Sequence, residues 1–151
     1  MDPRMLDYYN RELFRKGEGL LPAAIKGMAR AEIADSPARV LMQRLTHPSV
    51  LYFNDARGGR LQDAEFRSWI EFAPPPNENT QRILSLDRNA PLLLEKKLGQ
   101  GRVIACATTA NAEWTNLPLQ PFFVPLMQRL TTYLATEGSA PAWQLVGSTL
   151  R

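Results

Sequence analysis

Between Gln81 and Thr109 the chain carries three short apolar runs with almost nothing between them: QRILSL (81–86), PLLLEKKL (91–98) and GRVIACATT (101–109). Arg88-Asn89 separates the first pair and Gly99-Gln100-Gly101 the second. Turns this short join neighbouring strands as hairpins, so antiparallel pairing is expected here. Within the third run, VIACA (103–107) shows no alternation of polar and apolar residues. That pattern predicts a central strand covered on both faces, with Cys106, the sole cysteine, buried in its middle.

The flanking segments are read by period and punctuation. Met5, Leu6, Tyr9, Leu13 and Phe14 recur at helical spacing after Asp2-Pro3, and Gly17 and Gly19 end that helix. LLPAAIKGMARAEI (20–33) and the stretch from Pro37 to Leu45 predict two further helices, and VLYF (50–53) predicts a strand closed by NDARGGR. FRSWIEF (66–72) alternates as a half-buried strand does, and Pro74-Pro75-Pro76 stops it. The strongest helix spans 120–135: Phe123, Leu126, Met127, Leu130, Tyr133 and Leu134 share one face, and Glu137-Gly138 closes it.

Length and charge limit what such a chain does. With 151 residues, 44% of them hydrophobic and 22% charged, it suffices for one domain with its own core. The net charge of +3 comes from scattered residues (Arg11, Arg15 and Lys16; Arg57 and Arg60; Lys96 and Lys97), without the basic stripe that nucleic-acid binding uses. No nucleic-acid partner is expected. No run approaches the ~20 apolar residues of a membrane span, and the start has no apolar signal region, so this stretch itself is expected to be soluble and to make no direct membrane contact. One cysteine forms no internal disulfide.

The chemistry-bearing residues are few. Cys106, between Ala105 and Ala107, reads as a small buried hydrophobe rather than a nucleophile. His47, in LTHPS, is the sole histidine and has no partner apparent in the sequence, so it reads as a turn residue. No metal-ligand spacing exists, and neither metal nor cofactor is expected. Glu113 is the acid to watch, because it follows the C-terminal end of a strand, where open α/β sheets gather ligands. Its plainer reading is a first-turn acid behind an Asn111 cap. Trp114 reads first as a packing residue.

Two stretches together resemble a known group. PLLLEKKLGQGRVIACATTANAEWTNLPLQPFFVPLMQRLTTYLA (91–135) and YYNRELFRKGEGLLPA (8–23) are similar to motifs of bacterial envelope proteins with an N-terminal double-transmembrane segment of the Bat aerotolerance type and a class I glutamine-amidotransferase-like domain. The resemblance implies a three-layer α/β, Rossmann-like or flavodoxin-type sheet with some antiparallel hairpin strands. This chain would hold its C-terminal part over 1–138, with 139–151 an extended tail or the start of a following domain. It implies a parent anchored in the bacterial inner membrane. Amidotransferases of this class use a Cys–His–Glu triad; here no histidine follows the strand, and no such triad can be assembled.

The expected function is therefore a non-catalytic scaffold or protein-interaction domain, with Thr108, Thr109, Asn111, Glu113 and Trp114 lining a vestigial pocket. Self-association through an open sheet edge is the partner expectation that accompanies it. The alternative is a small-ligand-binding or hydrolytic domain using the cleft at the end of strand 101–109, with Glu113 as acid/base.

Overall fold

The computed structural model describes residues 2–32, 36–75 and 78–136. The expected tail at 139–151 and the closing pair Glu137-Gly138 lie outside the described residues. In chain order the elements are helix α1 (Pro3–Tyr9), strands β1 (Ile25–Arg30), β2 (Ala38–Arg39), β3 (Glu65–Phe66), β4 (Ser68–Phe72), β5 (Thr80–Ser85), β6 (Pro91–Leu98) and β7 (Gly101–Cys106), and helix α2 (Phe123–Thr136). Short 3-10 turns at Leu51–Asn54, Ala56–Gly58, Leu61–Asp63 and Leu117–Leu119 fill the connections.

The hairpins form where the turn residues predict them. The β5–β6 loop turns on Asn89, at φ 57°, with the Leu86 N–H donating to Ala90 O at 2.8 Å. The β6–β7 loop turns on Gly99 at φ 58°, and Leu98 faces Gly101 across it. A left-handed residue at these positions matches the turn to the strands' right-handed twist. β5, β6 and β7 thus form a three-stranded antiparallel sheet with β6 in the middle.

The remaining pairs are antiparallel too, β1 with β4 and β2 with β3. This corrects the expectation of a three-layer, Rossmann-like or flavodoxin-type sheet. A doubly wound sheet needs parallel strands joined by helical crossovers. Here two tight turns commit β5–β7 to hairpins, and the segments expected to supply helices before them are extended. Residues 25–30 of LLPAAIKGMARAEI form β1, whose Met28 and Ala29 face Ile70 and Trp69 of β4. Tertiary pairing overrides the helix propensity of Ala and Lys. Likewise Pro37–Leu45 contains β2 rather than a helix, and VLYF is a 3-10 turn rather than a strand. That turn is held by the Asn54 amide, which donates to Leu45 O at 2.8 Å and accepts from Leu45 N–H at 2.9 Å.

Backbone bonds knit the three sheets around one core. Leu41 N–H donates to Ser85 O and Asp87 N–H to Arg39 O, both at 2.8 Å, joining β2 to the end of β5. Beyond β7, Ala107 N–H reaches Leu92 O at 2.8 Å, and Ala107 O accepts from Ile70 N–H at 2.7 Å. The chain at 114–116 then runs along β3, with Arg67 N–H on Trp114 O and Asn116 N–H on Glu65 O. Phe66, Leu84, Leu86, Leu93 and Phe122 fill the interior. α2 closes it with Leu126 and Leu130, and its Pro125 falls in the first turn, where a missing N–H costs no helical bond.

The VIACA expectation is also corrected. β7 pairs with β6 alone and its residues are largely half-exposed. The strand with a nearly continuous buried run is β6, from Pro91 to Lys96.

Candidate functional site

The five residues expected to form a pocket separate into two groups. Thr108 and Thr109 line a cavity of about 220 Å³ between α2 and the β5–β7 sheet. Asn111 and Glu113 are exposed and do not line it. The Asn111 Oδ1 accepts from Thr109 Oγ1 at 2.8 Å and from Glu113 N–H at 3.2 Å, which fixes a local turn of the Asx type rather than a helix cap. Trp114 is half-buried, and its carbonyl, bonded to Arg67 N–H at 2.7 Å, ties the loop to the strand edge. Glu113 therefore lies outside this cavity, on an exposed turn.

The cavity walls are apolar: Leu84, Leu92, Ile104, Leu126 and Leu130 among them, with Cys106 beside Thr108. Cys106 sits at the end of edge strand β7 and retains solvent access, contrary to the expected central burial. Protein atoms nonetheless crowd its thiol, and this desolvation pushes its pKa up, against a smaller opposing bond from the Thr108 backbone. A thiol held protonated is a poor nucleophile. Thr108 Oγ1 is enclosed and has no hydrogen-bond partner among the described residues.

A constellation with the form of catalytic machinery lies elsewhere, and the sequence did not reveal it. His47 Nε2 meets Glu95 Oε2 at 2.9 Å, and His47 Nδ1 meets Ser49 Oγ at 2.8 Å. Glu95 Oε1 in turn accepts from Tyr133 of α2 at 2.9 Å and from the Arg102 guanidinium at 2.8 Å. Arg102 also bonds the Tyr133 hydroxyl and lies 5.0 Å over its ring, while the His47 ring stands edge-on to Tyr133 at 4.8 Å. Hydroxyl, imidazole and carboxylate follow the order of a hydrolytic triad. Yet His47 and Ser49 are each 3% exposed and Glu95 is 2% exposed. None of these side chains lines the cavity, so Ser49 has no access to a substrate. The arrangement is structural: it surrounds a buried carboxylate with partners and joins four segments, the His47 turn, β6, β7 and α2.

Its neighbour on the same strand does the reverse. Lys96, also buried, turns to the other face of β6 and donates to Gly17 O at 2.7 Å and to Gly19 O, holding the segment that leads out of α1. The signal for both clamps was legible in principle, since Glu95-Lys96 are charges that directly continue the apolar run Pro91–Leu94 within one strand. Among the described residues no group of three His, Cys, Asp or Glu side chains could hold a metal ion. No described helix is long and apolar enough to cross a membrane.

No protein-family model and no curated protein matches the chain. Among solved structures it is similar to the cytoplasmic protein STM1381 from Salmonella typhimurium LT2, at 12% sequence identity and a TM-score of 0.60. The match covers 84% of this chain and 47% of that one, so the chain spans about half the length of the structure it matches. At this identity the likeness concerns the fold alone. Neither an amidotransferase nor a Bat-type protein is found by these comparisons, and the antiparallel sheets overturn the amidotransferase-like label as a description of the fold.

Proposed function

We propose that the chain is a non-catalytic protein-interaction module of a longer, membrane-anchored envelope protein, and that α2 is its docking element. The observation that carries this reading is where the apolar surface lies. The triad-like side chains His47, Ser49 and Glu95 are sealed in the interior, whereas Val124 and Met127 of α2 are 60% and 45% exposed, with Leu119 just before the helix at 73%. Val124 and Met127 line an open groove with Phe123, Gln128, Arg129, Thr131 and Thr132. The helix contains no carboxylate, and its single cation, Arg129, stacks over Tyr52 at 4.6 Å. A partly apolar helix face without carboxylates, whose one cation is already stacked on a ring, is a surface that protein contacts favour over water.

The occupant we assign to this face is a further part of the same polypeptide. The fold's likeness to about half of a longer chain supports that choice, as do the two motifs resembling envelope proteins. The test is hydrogen exchange on this stretch alone and within the polypeptide read from its full reading frame. Slower exchange across 123–132 in the longer protein, reversed by Val124→Glu, is expected. Unchanged exchange, or a reading frame with nothing beyond these residues, overturns the docking role. Turnover of glutamine, simple amides or esters that disappears in Cys106→Ser or Ser49→Ala overturns the non-catalytic one.

A further inference from the structure

We propose that the cavity beneath α2 binds a small neutral molecule: an aliphatic chain or single ring carrying one hydroxyl or carbonyl oxygen. This site lies between α2 and the sheet and shares Phe123, Met127 and Thr131 with the groove of the docking face, but the observations behind it do not rest on that reading.

Three observations select the ligand. The first is charge. Of the residues lining the cavity, none is Asp, Glu, Lys, Arg or His, so a carboxylate or phosphate would lose its hydration and gain no counter-charge. The second is size. A cavity of about 150 Å³ lined by Leu, Ile and Phe stays dry and accepts benzene; the roughly 220 Å³ here, walled by Leu84, Leu92, Ile104, Leu126 and Leu130, has room for a somewhat longer molecule such as 1-hexanol. The third is Thr108. Its Oγ1 is enclosed, lies on a lining residue and has no partner among the described residues. A buried hydroxyl left without a partner is costly, and a ligand oxygen would satisfy it. Cavities with mostly apolar walls and one placed polar group are the usual form of small-molecule sites. Met127 and Leu134 line the cavity and are 45% and 40% exposed, which marks its mouth on the α2 side.

The test uses three probes, 1-hexanol, hexane and hexanoate at neutral pH, followed by ligand-observed NMR and protein chemical shifts. Saturable binding of 1-hexanol is expected, with hexanoate at least tenfold weaker. Thr108→Val should weaken 1-hexanol roughly three- to tenfold, the worth of one hydrogen bond, and leave hexane unchanged. Leu134→Trp, at the partly exposed mouth, should abolish binding of both, and Met127→Trp is the second blocking variant, each checked for folding by circular dichroism. The proposal is overturned if 1-hexanol does not bind saturably, if hexanoate binds as tightly, or if folded blocking variants bind undiminished. If neither blocking variant folds, an unchanged ratio of 1-hexanol to hexane affinity in Thr108→Val overturns it.

Discussion

Glu95 is the residue on which most depends. It sits in the central strand, 2% exposed, and its two oxygens engage His47, Tyr133 and Arg102. Removing one partner from a buried charged network is worse than removing the whole, because the others remain desolvated and uncompensated. Glu95→Ala should therefore lower unfolding stability by about 3–5 kcal/mol, read as a shift of the urea midpoint. Tyr133→Phe, which deletes one hydroxyl and keeps the ring against His47, should cost about 1 kcal/mol. Comparable losses for the two would mean that the carboxylate is less enclosed than its geometry indicates. Cys106 makes a second prediction at this scale. Desolvation raises its pKa, so the thiolate is scarcer than in free cysteine at any pH near neutrality. The rate of alkylation by iodoacetamide should rise through a midpoint above that of free cysteine; a midpoint below it would contradict the crowding of the thiol.

At the scale of elements, α2 shows how burial and exposure divide one helix. Leu126 and Leu130 are buried against the sheet, whereas Val124 is open. Leu130→Ala should cost about 2–5 kcal/mol by leaving a cavity, and Val124→Ala less than about 0.5 kcal/mol. Thermal or urea unfolding of the two variants separates them, and equal effects would mean that α2 is not seated as described. This helix was legible because its period of apolar residues is long and regular, and β6 and its turns were legible because Asn89 and Gly99 mark them. β1 was not. Ala, Lys and Met favour helix locally, and only the partner strand β4, some forty residues on, makes Ile25–Arg30 extended. The VIACA stretch misled for a related reason. Absence of alternation signals two covered faces, but β7 is an edge strand whose small residues face the cavity and half-open surface instead. The expected pocket was half legible: the strand end does bring Thr108 and Thr109 to a cavity, while the Asx turn at Asn111 carries Glu113 outward.

At the scale of the whole molecule, two adjacent residues on one strand organise opposite sides of the fold. Side chains alternate along a strand, so Glu95 and Lys96 necessarily point apart. Glu95 reaches α2 and the His47 turn, and Lys96 reaches the segment after α1 through Gly17 O and Gly19 O. The N-terminal arm has other ties. Asn10 copies a strand partner at β1, accepting from Ile25 N–H and donating to Ile25 O, both at 2.8 Å. Leu21 N–H donates to Leu13 O at 2.9 Å. The ammonium, however, is what fastens the turn at Arg15–Gly17 to the sheet, and Arg15 and Lys16, both exposed, are tryptic sites within that turn. Cleavage there tracks how often the segment opens, provided reclosing outpaces the protease. Lys96→Met keeps the stem and removes the charged donor. Two charge-assisted bonds at about 1.5–3 kcal/mol each imply a rise of at least tenfold in cleavage after Arg15 and Lys16, seen by mass spectrometry of a limited digest, with hydrogen exchange in β5, β6 and β7 slowed or unchanged. A variant that is cut no faster would show that Asn10 and Leu21 hold the arm unaided. One that loses protection in the three-stranded sheet as well would show that both clamps support a single cooperative unit rather than two separable attachments.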